Sequence, residues 1–478
     1  CVAGNVDPEH EVFIIDLVRK RNSISRYLTG KLKKIRPDIV GLSAMTWQFE
    51  TCMKVARLVR SIVPGVKIVI GGYHATLMFE SSAASADGED IDFMVRGEGE
   101  ESFRRLVNAL AGKDRIEDIP SLSYKSNGDF IHNDRGPNLD LNTLKPPVRD
   151  KRRLTWGYHT MFSRIELMET SRGCPRSCNF CSINHMYGRS YRTYPIERII
   201  ADLDDIYYNK KTRWVFIVDD NMVLNPKWVN QVCDAIIARN YQGLNLVVQA
   251  DCVSIAKNEE MVKKMAQAGF KSVFLGNENG SEKNLAAMNK GDIVEESKRA
   301  VENCHRHGIM VIAGLIFGLP EDSEQEIIEN YEFFKFLEAD AAYLQMLTPY
   351  PRTGIREELL SKNLVSNKDD LQWYNGLWAN VRTKYLTAEE LQYLFWLHRQ
   401  KILGWWEPSK IARDKGGPWV KYWTKLFRPV IKFFYDMGIK RSGWEGRYRH
   451  EMQHLRLLNV FPDLERFARK RAPVRWEW

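Results

Sequence analysis

The chain has 478 residues, long for a single core, so two or three domains are expected. Hydrophobic and charged fractions of 44% and 27% are those of a soluble globular protein, and with no apolar run of membrane-span length and no signal peptide in view, a transmembrane helix is not expected. Only three of the eight cysteines cluster, which is reduced, cytosolic usage and excludes a disulfide framework. The net charge of +9 is concentrated at one end: residues 401–478 carry 18 Lys/Arg against 8 Asp/Glu, and the remainder is near neutral. Such a tail meets nucleic acid, an anionic membrane surface or an acidic substrate, or is simply a solvated face.

The sequence opens at Cys1, and Glu11 to Asp16 reads almost at once as a buried strand. A parallel α/β domain normally has a strand and helix before this point, so the native chain is expected to start earlier than Cys1. Strand and helix signals then alternate: a strand at 39–43, an amphipathic helix at 49–63 ended by Pro64-Gly65, a strand at 66–72, a strand at 92–95 and a helix at 101–111. This alternation predicts a parallel sheet with helices on both faces, whose ligands sit beyond the carboxyl ends of the strands. Three loops fall there: Ser43-Ala44-Met45-Thr46-Trp47, Gly71-Gly72-Tyr73-His74, and Gly97-Glu98-Gly99 with Glu100. Their glycines let backbone amides approach a ligand closely, as in any nucleotide-binding domain. Residues 119–153 read as a linker with a hairpin (122–124 and 130–132 around Asn127-Gly128) and a boundary at Pro146-Pro147.

The next segment contains Ser171-Arg172-Gly173-Cys174-Pro175-Arg176-Ser177-Cys178-Asn179-Phe180-Cys181, a C-x3-C-x2-C spacing. Thiolates suit iron–sulfur clusters and zinc. Three of them leave one iron of a cubane cluster open to bind and activate a small molecule. A structural zinc site is the alternative, but it normally takes four ligands, and the nearby fourth is His185. A second alternation follows, with strands at 165–168, 214–218, 244–249, 272–276, 310–317 and 341–347, and helices at 195–208, 226–239, 258–268, 294–307 and 323–337. That is about six β/α units. Polar outliers sit at the strand ends: Asp219-Asp220-Asn221, Gln249, Gly276-Asn277-Glu278-Asn279-Gly280, Gly314 to Pro320, and Thr348-Pro349-Tyr350-Pro351-Arg352-Thr353. By themselves the two aspartates read equally as an acid/base pair or a metal site.

The cysteine stretch resembles the signature of the radical S-adenosylmethionine (SAM) superfamily, C-x3-C-x-aromatic-C, with Phe180 in the aromatic position. The resemblance implies a [4Fe-4S] cluster on Cys174, Cys178 and Cys181, whose open iron chelates SAM and whose electron cleaves it to methionine and a 5′-deoxyadenosyl radical. It also implies SAM contacts from Phe180, Asp219, Asp220, Asn221, Gln249, Glu278, Ile316, Gly318 and Leu319, with Glu278 on the ribose and the glycine-bracketed strand against adenine. The segments 71–76 and 95–100 are similar to the cobalamin-binding domain that precedes many such enzymes. That similarity implies a base-off corrinoid contacted by Ser43, Ala44, Met45, Thr46, Trp47, Gly71, Gly72, Tyr73, His74, Gly97, Glu98 and Gly99. The D-x-H-x-x-G motif of other cobalamin proteins is absent, so no histidine is expected on the lower cobalt face; His74 either lines the site or packs. Residues 348–353 resemble a T-P-Y-P-G-T segment of cobalamin-dependent members. Arg352 replaces the glycine, and Tyr350 and Arg352 are candidate substrate contacts, a surface arginine being the alternative.

Thr387 to Glu390 is a capping-box pattern opening a helix to about Leu403. Beyond it Trp419, Trp423 and Phe427 share one helical face with Lys421, Lys425 and Arg428 beside it, a pattern for core packing or for a membrane interface. Nucleic-acid binding has no module signature behind it and is not expected.

The expected architecture is therefore α/β: a Rossmann-like cobalamin-binding domain at 1–145, a partial (β/α)6 TIM barrel at 155–360 and a basic, mainly helical domain at 361–478. The resemblance is strongest to the bacteriochlorophyll-cyclase-like branch, which includes hopanoid methylases and the methylase of a methyl-coenzyme M reductase glutamine. It implies methylation of an unactivated carbon, with radical cyclisation of a tetrapyrrole or a non-catalytic cobalamin carrier or sensor as alternatives. Ferredoxin or flavodoxin is the implied electron donor, and the cytoplasm, at or away from a membrane surface, the expected location.

Overall fold

The computed structural model describes residues 1–17, 20, 23–151, 159–160 and 163–402. The predicted strand at 11–16 does not form as a regular strand. The chain there runs extended with a single bridging residue, Ile14, and Phe13 is exposed.

The first sheet has five strands in the order β1 (Ile39–Ser43), β2 (Lys67–Gly71), β3 (Phe93–Val95), β4 (Leu122–Ser126) and β5 (Asp129–His132). The first three are parallel and the last two antiparallel. Asn127 and Gly128 turn the hairpin with φ of 53° and 95°, the left-handed pair that a two-residue hairpin requires. The helix Phe49–Ile62 buries Met53, Ala56 and Val59, spaced to one face, and joins Leu28 and Leu32 of the helix Ile24–Ile35 over one side of the sheet. The helix Gly99–Leu110 covers the other side through Leu106, against Val69, Phe93 and Leu122.

The second sheet begins with β6 (His159–Thr160), paired antiparallel at its edge with β7 (Ser163–Met168). Two short strands, β8 (Ser171–Arg172) and β9 (Arg192–Thr193), pair antiparallel outside it, and β10 (Trp214–Ile217), β11 (Asn245–Ala250), β12 (Phe270–Glu278), β13 (Met310–Phe317) and β14 (Ala341–Met346) complete it. The order β14-β13-β12-β11-β10-β7 is that of the chain, and every neighbouring pair is parallel. This is the six-unit open barrel that the alternation predicts. Local chemistry starts its helices where expected. Asn225 caps Pro226–Arg239, with Pro226 in the first turn, and Ser323 with Glu326 forms a capping box on Glu324–Leu337.

Residues on both sides of the expected 155–360 barrel pack into its core. Leu141 and Leu144 of the linker lie in the barrel core, and buried Arg149 pairs with Asp202 and donates to the Leu167 carbonyl at 2.8 Å. At the other end Trp378, Val381, Leu391, Leu394 and Phe395 also belong to the barrel core. Gly318 shows why: its φ of 88° and the approach of Leu391 Cδ2, 2.8 Å from where a Cβ would stand, let this segment close over the end of β13. The helix Ala388–Ile402 follows. Among the described residues no helix is long and apolar enough to cross a membrane, and the basic–aromatic segment from Trp419 onward lies outside the described residues.

Candidate functional site

The carboxyl ends of the two parallel sheets face each other across one seam, and the predicted loops meet there. The cysteine loop leaves β8 and returns on β9. Gly173 opens it with φ of 85°, and a Cβ there would stand 2.4 Å from the Ser190 carbonyl oxygen, so the turn admits only glycine. Cys174, Cys178 and Cys181 follow, free and half-buried. Their pKa values are raised, chiefly by burial, Cys181 to about 12 with the neighbouring Cys178 and Cys174 adding to the push.

The barrel grips this loop from several sides. Asn179 donates to the Ala287 carbonyl at 2.7 Å and takes a bond from the Ile355 amide at 3.1 Å. Asn289 donates to the Ser177 carbonyl at 2.8 Å, and Arg176 pairs with Asp251 at 3.1 Å. Asp220 accepts from the Gly173 amide at 2.9 Å, and burial raises its pKa to about 6. Phe180 packs on the barrel core.

Several predicted SAM contacts have other duties. Asp219 is fully enclosed. One of its oxygens accepts from the Thr170 amide at 2.6 Å, and the other from the hydroxyls of Thr170 and of Ser171, the latter at 2.6 Å. Burial raises its pKa to about 7 against those bonds, so this carboxylate anchors the strand end that carries the cysteines and is not free to take a substrate ammonium. Leu319 is enclosed in the core, and Ile316 is buried, its carbonyl accepting from Asn279 and Asn330 at 3.3 and 3.1 Å. Gly318 and Leu319 donate their amides to Asp322 at 2.9 and 3.0 Å. Gln249 reaches the Asp219 carbonyl at 3.4 Å.

Glu278 is where a ligand-facing group would be, at the end of β12 with φ of 63°, and it holds Lys290 at 2.8 Å beside Gly276, where a Cβ would meet both side chains. Burial disfavours the Lys290 ammonium, but Glu278 and the nearby Cys178 outweigh it and keep the amine charged. Lys290 has no sequence signal, because it sits in a turn between two helices with no periodic pattern around it.

On the other side of the seam, Gly72 (φ of 89°) brings its loop onto 43–44: a Cβ would lie 2.9 Å from both Ala44 O and Ser43 Oγ. Gly71 and Gly97 have nothing nearer to a Cβ position than 3.9 and 3.8 Å, which leaves open backbone at both strand ends. Met45 and Trp47 are exposed beside them, Tyr73 is half-buried near Cys181 and Asp220, and Ala44 and Thr46 are buried. Gly99 begins its helix.

Three of the expected contacts have protein partners in this structure. His74 is buried, stacked on Phe49 with ring centroids 3.8 Å apart, its Nε2 bonded to Ser82 Oγ at 3.1 Å, and burial lowers its pKa to about 4; it packs inside the domain. Glu98 is engaged by Arg172 at 2.8 Å, Arg192 at 3.0 Å and the Leu139 amide at 2.9 Å. Arg352, in the left-handed region (φ of 64°) that explains a glycine in the similar segment, lies on the surface, pairs with Glu80 at 2.5 Å and covers the Phe79 ring. Tyr350 is half-buried near Tyr374, and burial raises its phenol pKa to about 12.

The residues present fit the implied groups. Three half-buried thiols on one short loop are a soft donor set for an iron–sulfur cluster, and each can take a different iron. Among the described residues no three His, Cys, Asp or Glu side chains surround one ion position. Around the loop the amide oxygens of Asn179, Asn184 and Asn221 are buried without a protein partner, acceptors for a ligand that brings donors such as an ammonium. The open glycine backbone with exposed Met45 and Trp47 suits a broad ligand laid on the strand ends of the first domain.

Comparison with known proteins agrees with this division. The family model of the radical SAM superfamily matches residues 168–334, and that of the B12 binding domain matches residues 5–107. The chain is 30% identical over 416 residues to an uncharacterized methyltransferase of Pyrococcus horikoshii, covering 86% of this chain and 88% of that protein. It is 27% identical to an anaerobic magnesium-protoporphyrin IX monomethyl ester cyclase of Cereibacter sphaeroides, over 76% of this chain and 59% of the relative. Among solved structures it resembles a radical SAM methyltransferase, TsrM, from Kitasatospora setae, with a TM-score of 0.62 and 17% identity, covering 74% of this chain and 69% of the other.

Proposed function

This chain belongs to the radical SAM superfamily, in the branch with an N-terminal B12-binding domain, and from that premise we propose that it is a cobalamin-dependent methyltransferase acting on an unactivated carbon. The observation that carries this reading is the seam, where the helix Tyr73–Leu77 of the B12-binding domain packs against the helix Ile183–Tyr187 that follows the cysteine loop, Thr76 meeting Met186 across it. When bound, the cluster supplies the electron that splits SAM into methionine and a 5′-deoxyadenosyl radical, and the corrinoid supplies the methyl group.

The chain's own residues hold and orient these groups. Cys174, Cys178 and Cys181 carry the cluster on a loop whose backbone is pinned by Asp219, Asp220, Asn179 and Asn289. Asn221, with its buried unpartnered oxygen, is the acceptor for the methionine ammonium of SAM. Glu278 and Lys290 offer one carboxylate and one ammonium at the end of β12 for the ribose and carboxylate. Met45, Trp47, Gly71, Gly72, Tyr73 and Gly97 form the corrinoid bed. Tyr73 and Tyr187, both half-buried near Asp220, keep water from the space between the cofactors.

The substrate is an organic molecule, lipid or protein side chain with an unactivated C–H bond, the electron donor a ferredoxin or flavodoxin, and the setting the cytoplasm. The excess of basic residues after position 400 supports contact with an anionic membrane surface or an acidic protein substrate. The cyclase relative favours a second reading, radical oxidative cyclisation of a tetrapyrrole. Reconstituted protein supplied with methyl-labelled SAM and candidate substrates separates them. Label in product supports methylation, deoxyadenosine without methyl transfer supports cyclisation, and neither signal after full reconstitution overturns both.

A further inference from the structure

The seam contains a buried ion cluster that the cofactors do not account for. Arg172 lies on β8, two residues before Cys174. Its Nη1 donates to Glu98 at 2.8 Å, and its Nη2 donates to Glu100 at 2.6 Å and to Glu169 at 2.9 Å. Its Nε donates to both oxygens of Glu169 at 3.1 and 3.0 Å. The side chains of Arg172, Glu98 and Glu100 are only 5%, 4% and 5% exposed. Arg192 closes the cluster on Glu98, and Tyr194 donates to Glu169 at 2.8 Å.

Glu98 and Glu100 lead from β3 into the helix Gly99–Leu110 of the B12-binding domain, whereas Arg172 and Glu169 belong to the cysteine loop of the barrel. One guanidinium thus ties the corrinoid-side loop and the cluster-side loop together within a few ångströms of both. Buried charges are held rigidly, because moving one partner leaves the others desolvated and unpaired. A second pair between the domains is different in kind: Arg352 and Glu80 pair with side chains 41% and 65% exposed, a water-facing contact that constrains little.

We propose that Arg172 is a positioning residue, which through Glu98 and Glu100 fixes the distance and orientation between the corrinoid and the cluster-bound SAM. The acidic pair of the Gly97–Glu100 segment is then a docking element between domains and not a corrinoid contact. This rests on the proposed function, since it concerns two cofactors that must face each other.

The test uses the full-length protein reconstituted with iron, sulfide and hydroxocobalamin, as Arg172→Lys, Glu100→Gln and Glu98→Gln/Glu100→Gln variants. Three quantities are read: iron and corrinoid content, hydrogen exchange at residues 97–106 and 171–174, and two rates with SAM and no other substrate. The rates are measured in excess titanium(III) citrate, which supplies the electrons that reduce the cluster and take hydroxocobalamin to cob(I)alamin. Reductive cleavage to deoxyadenosine needs only the barrel side, whereas methylation of cob(I)alamin, followed by its visible spectrum, needs both sides in register. Cofactor contents near wild type are expected, with exchange faster by about tenfold in both segments together. Cob(I)alamin methylation should fall by about tenfold or more while deoxyadenosine formation stays within about twofold. A parallel fall of both rates, unchanged rates, or unchanged exchange would overturn the positioning role. If Arg172→Lys loses its cluster, the Glu100→Gln variant, altered in the other domain, still decides. A wild-type protein that binds no corrinoid overturns the proposed function itself, and is distinguished by the first measurement.

Discussion

Replacing Gly173 by alanine isolates the geometry of the cysteine loop without touching a ligand. The residue has φ of 85°, and its new Cβ would be 2.4 Å from the Ser190 oxygen, a backbone atom that cannot swing aside. The left-handed conformation costs an alanine about 1–2 kcal/mol, and relieving the contact means parting the β8–β9 pair or breaking the Gly173–Asp220 bond, about 1–2 kcal/mol more. A local cost of about 2–4 kcal/mol lowers the population of the assembled loop by a factor of about 30 to 1000. None of the three hydrophobic clusters includes this turn, so the damage stays local. Reconstituted Gly173→Ala should therefore keep its corrinoid and its melting temperature to within a few degrees, yet hold far less iron and form deoxyadenosine at least about 30-fold more slowly. Iron and sulfide analysis, electron paramagnetic resonance of the reduced cluster and chromatography of deoxyadenosine measure this. Full iron content with deoxyadenosine formation within twofold of wild type would refute the account of the turn.

Cys178→Ala should keep corrinoid and make no deoxyadenosine; wild-type rates from this variant would sink the cluster assignment. His74 is predicted to act through packing. Its pKa falls from an ordinary 6.5 to about 4 on burial, so its neutral ring contributes stability that is present above pH 6.5 and is lost as the pH falls through that window. At pH 5 the loss is about 2 kcal/mol. A His74→Phe variant should lose less stability than wild type between pH 7 and pH 5, measured by urea denaturation of the apo protein, and should bind corrinoid with an unchanged visible spectrum. An altered spectrum would return His74 to the cobalt site. Arg149→Ala strands buried Asp202 without its partner and should destabilise the barrel by about 3–5 kcal/mol, read by chemical denaturation.

Much of this molecule was legible in its residues because two periodic signals carry it. Strands that are buried on both faces appear as short apolar runs, and the helices between them show a one-sided apolar pattern, so the barrel strands and the three parallel strands of the first sheet were legible, whereas the hairpin read as part of a linker joins that sheet antiparallel. The strand expected at 11–16 failed because an apolar run carries no information about whether a neighbouring strand is there to pair with it. The cysteine spacing was equally legible, since ligands to one cluster must be close in a short loop.

Side-chain duties were another matter. Asp219, Glu98, His74 and Arg352 stand at motif positions; from sequence the first two read as ligand contacts, while His74 and Arg352 read equally as a packed ring and a surface arginine. In the fold Asp219 anchors a strand end, His74 stacks on Phe49, and Glu98 and Arg352 join domains. Lys290, distant in sequence from Cys178 and without any pattern, is brought beside it by the return of the chain after β12.

The sequence alone determined the kind of chemistry and the two sheets, because soft ligands at fixed spacing and apolar periodicity are local properties. Only the tertiary structure decided which charged group meets which. That depends on how the carboxyl ends of two separate sheets are set against each other, and a buried carboxylate takes whatever donor the packing puts within reach.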